Sequence, residues 1–208
     1  MIKEITMSKF DEMITVVPRD LAFDNERNQF NGFLNKSTAQ GQEIFNALSH
    51  YEVKRRGDME EDPNYKQLVS YCLLENHQGE LLVYKRLSGG GESRLHGQGS
   101  IGVGGHMNDV PGAESINEVI RTNAQRELEE EVGLSPAKSQ NLQYLGFIND
   151  DTNEVGEVHL GVVFKITVDK NDVEVQETDT LAIEWVEQGK IEDTSNFETW
   201  SSLILEAL

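Results

Sequence analysis

Three glutamates sit close together in this chain, Glu127, Glu130 and Glu131, at spacings of i, i+3 and i+4. On a helical wheel of ~100° per residue with Ile116 at zero, Ile120 falls at about 40°, Ala124 at about 80° and Val119 at about 300°, which marks the buried arc. Glu127, Glu130 and Glu131 fall at about 20°, 320° and 60° on the same wheel, so all three carboxylates are expected to point inward. Clustered acids repel one another, and burying them without a counter-charge is costly. A divalent cation resolves that conflict. Oxygen-only donors favour a hard ion, and Mg²⁺ takes one or two carboxylates together with waters and substrate phosphates, so the pattern points to diphosphate chemistry. The same residues also read as the solvated acidic end of a helix, and periodicity alone leaves both readings open.

The element that carries these acids is a helix over residues 116–132, opened by Ser115 with Glu118 three residues on and closed by Gly133. Before it, LVSYCLLE and ELLVYKRL are strand-like runs flanking a four-residue hairpin connection at 76–79. SIGVGGH, residues 100–106, reads as a short strand ending in a tight turn. After it come strands at 142–148, 157–168 and 180–186, and an amphipathic helix from Asn196. Strands on both sides of a central helix, with a second helix at the end, predict an α/β sandwich with a mixed sheet. Residues 1–66 have a different texture: a strand at 13–18, a helix opening at Ser37 or Thr38 and running through Ile44, Phe45 and Leu48, and a polar loop at 55–64. The expected organisation is an N-terminal extension, 1–66, and a main domain, 67–208.

Composition excludes some partners. Among 208 residues, 37 acids against 18 bases give a formal net charge of −19, which disfavours a phosphate backbone or an anionic membrane surface. No stretch reaches the ~18 apolar residues of a membrane helix. Cys72 is the single cysteine, and the first residues carry no apolar run of signal-peptide length, so a cytoplasmic location is expected. Gly97-x-Gly99-x-x-Gly102 has the dinucleotide-fingerprint spacing, but further glycines follow it where a helix is required.

The stretch GAESINEVIRTNAQRELEEEVGL, residues 112–134, resembles the Nudix box, G-x5-E-x7-R-E-U-x-E-E-x-G-U with U apolar, at every fixed position: Gly112, Glu118, Arg126, Glu127, Leu128, Glu130, Glu131, Gly133 and Leu134. The resemblance to Nudix hydrolases implies an α/β/α sandwich, dependence on Mg²⁺ or Mn²⁺, and hydrolysis of a diphosphate linked to another moiety, such as a nucleoside diphosphate derivative. It also implies that Glu127, Glu130 and Glu131 ligate metal, joined by a backbone carbonyl of Gly104 or Gly105. Arg126 would orient a box glutamate, and water activated by the metal or a carboxylate would attack phosphorus. Glu118 either shares in this chemistry or only caps the helix.

In the family pattern a Gly-Gly pair ends a strand six residues before the first box glutamate. Here Gly104-Gly105 has that character, yet Gly105 lies 13 residues before Glu118. The expectation is a seven-residue insertion, with Gly105 in the structural role and Gly112 matching by count only.

The general base is expected among later loop acids, Glu177 first, with Asp150, Asp151 and Glu154 behind it. Arg86, Arg94 and His106 are the expected substrate contacts, and Lys54, Arg55, Arg56 and Lys85 extend a basic wall for phosphate. His159, on the strand face opposite Val158, Leu160 and Val162, is expected to be a structural histidine. Trp185 and Trp200 read as core anchors. Two alternatives stand beside hydrolysis: a ligand-sensing module without turnover, and isoprenoid diphosphate isomerisation, which needs an accessible cysteine where Cys72 sits in an apolar run. Residues 1–66 are expected to make a homodimer contact or to cover the substrate pocket.

Overall fold

The computed structural model describes residues 8–86, 98–174, 181–191 and 193–208, with the backbone alone at 85, 86 and 181. Glu177 and Arg94 lie outside the described residues, as do the side chains of Lys85 and Arg86.

Alternation builds the centre of the fold. Strand β4 (Tyr65–Asn76) places Leu68, Cys72 and Leu74 in one apolar cluster and Tyr71 and Leu73 in the other. Strand β9 (His159–Val168) runs parallel to β4 over ten residue pairs, from Gln67↔His159 to Asn76↔Val168. Such two-faced strands require a helical layer on each side. One layer is α4 (Ile116–Val132), which buries Ile116, Val119, Ile120, Ala124 and Leu128; α2 (Ala39–Ala47) and the residue after it add Ile44 and Leu48 to the same cluster. The other is α6 (Thr199–Leu205), whose Ile204 is fully buried among Tyr71, Val83 and Val163. Gly161 admits Trp200 here, since a Cβ at that position would lie 2.8 Å from the indole.

Around this pair the sheet is mixed, in the order β10 (Leu181–Glu187), β5 (Glu80–Arg86), β4, β9, β8 (Gln143–Asn149) and β2 (Gly32–Asn35). The β4–β5 hairpin closes as the sequence predicts: the Asn76 side chain accepts from the Gln78 and Glu80 N–H groups, and Gly79 takes φ +79°. Two short strands, β6 (Gly99–Ser100) and β7 (Gly102–Val103), pair with β5 and β4. The strand expected from residue 157 begins at His159, because 154–157 forms the helical turn α5 (Glu154–Glu157), capped by Asn153.

The N-terminal residues join this same sheet. Strand β1 (Met13–Pro18) pairs with β4 and with β3 (Glu52–Arg55), and β2 pairs with β8. The polar stretch read as a loop contains the helical turn α3 (Arg56–Met59), whose buried Met59 packs against Ile14 and Val16.

Candidate functional site

The helix that carries the acids starts and stops for local reasons. Ser115 Oγ accepts from the Glu118 N–H at 3.3 Å, and Gly133, at φ +65°, ends the helix in the left-handed conformation. Glu118 itself is exposed, and its carboxylate accepts from the Glu114 N–H at 2.9 Å, so its contact is with the helix entrance.

Of the three acids expected to face inward, only Glu127 is buried, at 7% exposure; Glu130 and Glu131 are exposed. A wheel fixes a side chain's direction around the axis, whereas burial also needs a neighbour at that height, and the last turn of α4 offers Glu130 and Glu131 to solvent. Burial pushes the Glu127 carboxyl above its ordinary value; Arg126 opposes the shift, and the Glu130 and Glu131 charges add to it. Arg126 contacts Glu127 Oε1 at 2.7 Å and Glu130 Oε2 at 2.8 Å, and donates to the His106 carbonyl at 3.0 Å. One guanidinium thus holds two box carboxylates and the end of the glycine-rich strand together.

That strand end lies directly over the helix. A Cβ on Gly105 would be 2.8 Å from Glu127 Oε2, whereas Gly112 sits in open space at φ +87°. The close approach belongs to Gly105, as the insertion reading expects. Its carbonyl accepts from the Ser70 N–H at 2.9 Å and from Ser70 Oγ at 3.2 Å. The missing side chain of Gly105 also leaves the space that the Glu127 carboxylate occupies. An all-oxygen set of three acidic side chains, one of them buried with a raised pKa, fits a hard divalent cation.

Beside this strand end lies a cavity of about 580 Å³. Gly104 and His106 line it, as do Tyr71, Tyr84, Trp200, Asp150, His159 and Glu198. The α4 carboxylates are not in its wall; they meet it through the Gly104–His106 strand end. No lysine or arginine lines it among the described residues. The cations at 54–56, expected as a basic wall, do not line it and are paired: Lys54 with Glu52, Arg55 with Asp11 and Asp58, Arg56 with Glu60 and Glu12.

The acids considered as bases part company. Asp150 lines the cavity and accepts from Thr152 N, Thr152 Oγ1 and Asn153 Nδ2. Asp151 is bound to Arg19, Lys66 and Gln29, away from the cavity wall, and Glu154 is exposed on α5. Trp200, expected in the core, both packs edge-on against Tyr71 and lines the cavity. Glu198, which the sequence reading passed over, accepts from Tyr71 Oη and from the Trp200 and Ser201 N–H groups. Glutamate is not among the preferred helix N-caps, so the sequence held no clear signal for it. Cys72 is fully buried and its thiol is pushed well above its ordinary value, which removes it from any proton-transfer role. No helix among the described residues is long and apolar enough to cross a membrane.

Comparisons with known proteins agree with this geometry. The NUDIX domain family model matches residues 66–206. Protein YmaB of Bacillus subtilis (strain 168) is 41% identical over 206 residues, covering 97% of this chain and 100% of that protein. The crystal structure of Tm1382, a candidate Nudix hydrolase, is similar with a TM-score of 0.74 and 27% identity, over 94% of this chain and 97% of that one. The MutT Nudix hydrolase of Burkholderia pseudomallei shares the fold at a TM-score of 0.50 and 19% identity, over 68% of this chain and 96% of that one. With a complete box on α4, a mixed sheet between helical layers and a family match over most of its length, the chain belongs to the Nudix superfamily and is a Nudix hydrolase.

Proposed function

We propose that this Nudix pyrophosphohydrolase cleaves a nucleoside diphosphate linked to a second moiety, or a similar organic diphosphate, with Mg²⁺ or Mn²⁺ held by Glu127, Glu130 and Glu131. The observation that carries the reading is the juxtaposition of these acids, two of them clamped by Arg126, with a cavity whose wall holds three aromatic side chains. Tyr71, Tyr84 and Trp200 offer faces and edges on which a planar base can lie, and the volume suits a ligand of nucleotide size. A backbone carbonyl of Gly105, or of Gly104, which lines the cavity, would join the three glutamates.

The bound ion supplies charge neutralisation for the diphosphate and lowers the pKa of a coordinated water. The chain's own groups do the rest. Arg126 fixes the Glu127 and Glu130 carboxylates in place. Asp150 and Glu198 make the described wall acidic, so a diphosphate needs the ion or the cations of β5 and the segment after it; Arg86 and Arg94 keep their assignment as substrate contacts, with His106 at the cavity end. Glu177 remains a proposed base and Asp150 the cavity-lining alternative. A cytoplasmic location and a homodimer complete the proposal.

Nucleotide sugars, dinucleotides, nucleoside triphosphates and prenyl diphosphates, each incubated with Mg²⁺ or with chelator, test it by the products released. Hydrolysis of one class is expected only with metal, and Glu130→Gln is expected to lower kcat by about 10² to 10⁴. Turnover that survives chelator, or that is unchanged in Glu130→Gln, would overturn the assignment.

A further inference from the structure

A side chain of the N-terminal residues meets two imidazoles of the Nudix domain. Glu60, His106 and His159 each offer one ligand atom, and these atoms lie within 4.8 Å of one another. The two Nε2 atoms are 3.0 Å apart, with the rings edge-on at 71°. The tautomers follow from the neighbours. His159 Nδ1 lies 2.6 Å from the Val155 carbonyl, which only accepts, so Nδ1 carries the proton and Nε2 presents its lone pair to His106. Gln67 donates through Nε2 to the Met59 carbonyl at 3.1 Å, which turns its Oε1 toward His106 Nε2 at 2.9 Å. Without an ion, one His106 N–H is therefore shared between two acceptors.

We propose that Glu60, His106 and His159 form a second divalent-cation site, distinct from the box carboxylates and suited to Zn²⁺. Two imidazole nitrogens and one carboxylate oxygen are a donor set that a borderline-soft ion accepts and that Mg²⁺ does not seek. A backbone carbonyl on the far nitrogen, as Val155 provides for His159, is the outer contact that fixes a ligating histidine. Arg56 Nε holds Glu60 Oε1 at 3.0 Å and so aims the carboxylate. Both rings are kept neutral, as ligands must be: burial, His159, Arg56 and Lys9 hold His106 down to about 3, and burial holds His159 below its ordinary value. Binding requires the His106 Nε2 proton to move to Nδ1 or to leave, so that Nε2 can present its lone pair to the ion. Both histidines line the cavity, which leaves a fourth position for water or a substrate oxygen. Glu60 follows α3, so the ion ties the N-terminal residues to the domain.

The test is zinc retention by the full-length, chelator-stripped protein, dialysed against Zn²⁺ with millimolar Mg²⁺ present to occupy the box. About one Zn²⁺ per chain is expected in the parent and in Glu130→Gln, with affinity weakened at least about tenfold in Glu60→Gln and in His159→Gln. Co²⁺ in place of Zn²⁺ is expected to give the visible absorption of a four-coordinate site, lost in Glu60→Gln. Circular dichroism verifies folding, and Glu60→Gln, at a half-buried helix end, decides the matter should His159→Gln fail to fold. No zinc in the parent, equal retention in Glu60→Gln, or loss of zinc in Glu130→Gln would each overturn the proposal.

Discussion

Glu127 and Gly105 approach so closely that neither position can change independently. Replacing the glycine hydrogen by a methyl would put carbon 2.8 Å from Glu127 Oε2 and 2.9 Å from its Cδ, well inside van der Waals contact. The strand end is fixed by Ser70 and the carboxylate by Arg126, so neither partner yields cheaply. Gly105→Ala is therefore expected to weaken divalent-metal affinity and lower kcat/KM. Gly112→Ala meets no neighbour but must hold φ +87°, a strain of about 1–2 kcal/mol, so it is expected to lower Tm and leave turnover intact. Kinetics over a Mg²⁺ series together with thermal melts separate the two, and the reverse ranking would return the structural role to the glycine that the strict box count selects. At this scale the sequence carried much of the site: the box spacing located α4, and the displaced Gly-Gly pair marked the strand above it. The exposure of Glu130 and Glu131 was not legible, because helical phase says nothing about which neighbours cover a given turn.

Between elements, a buried ion cluster ties the first strands to the rest of the sheet. Lys66, fully buried on β4, donates to Asp151 at 2.6 Å, to the Gly156 carbonyl at 3.0 Å and to the His159 carbonyl at 3.3 Å. Arg19, on the helical turn α1 (Arg19–Ala22), reaches the other Asp151 oxygen at 2.6 Å. Burial alone would raise the Asp151 carboxyl, but the bonds from Arg19, Lys66 and Gln29 outweigh it and hold it down to about 2. A carboxyl whose folded pKa lies below its unfolded value, ~3.9, stabilises fully above that value and loses the contribution as pH falls toward the folded one. Parent stability is thus expected to fall between about pH 4 and pH 2 by more than that of Asp151→Asn. At neutral pH the variant, which strands Lys66 without its partner, is expected to be less stable by about 3–5 kcal/mol. Denaturant melts across this pH range supply the comparison, and parallel curves for the two proteins would remove Asp151 from the linkage. The sequence offered Asp151 only as a possible base, since its partner is 85 residues away. Strands β2 and β3 escaped detection for a related reason: GFLN and EVKR have no usable alternation, and each forms because a neighbouring strand, β8 or β1, presents an edge.

For the whole molecule, the question is whether residues 1–66 are an attachment or part of the fold. Val16, Val17, Phe23, Ile44 and Leu48 are all fully buried, and all but Val16 share one cluster with residues of β4, β9 and α4. Phe23 makes the point in a single side chain: its ring packs edge-on to Phe30 at 6.1 Å and lies under the cations of Arg19 and Lys66, at 5.3 and 5.6 Å. Truncating such a residue costs about 3–5 kcal/mol, a large share of the about 5–15 kcal/mol that holds a typical protein together. Phe23→Ala is expected to lose stability on that scale while retaining kcat/KM wherever it remains folded, because the ring is not part of the cavity wall. Deleting residues 1–50 removes that ring, β1 from the edge of β4 and β2 from the edge of β8, exposing two strand edges as well as the core. The truncated chain is therefore expected to lack a cooperative melt and to associate nonspecifically, which light scattering would register as a broad mass distribution. A truncated protein that melts cooperatively, with unchanged kcat/KM and a discrete mass, would show that the Nudix domain needs no N-terminal strands and that their burial follows from docking alone.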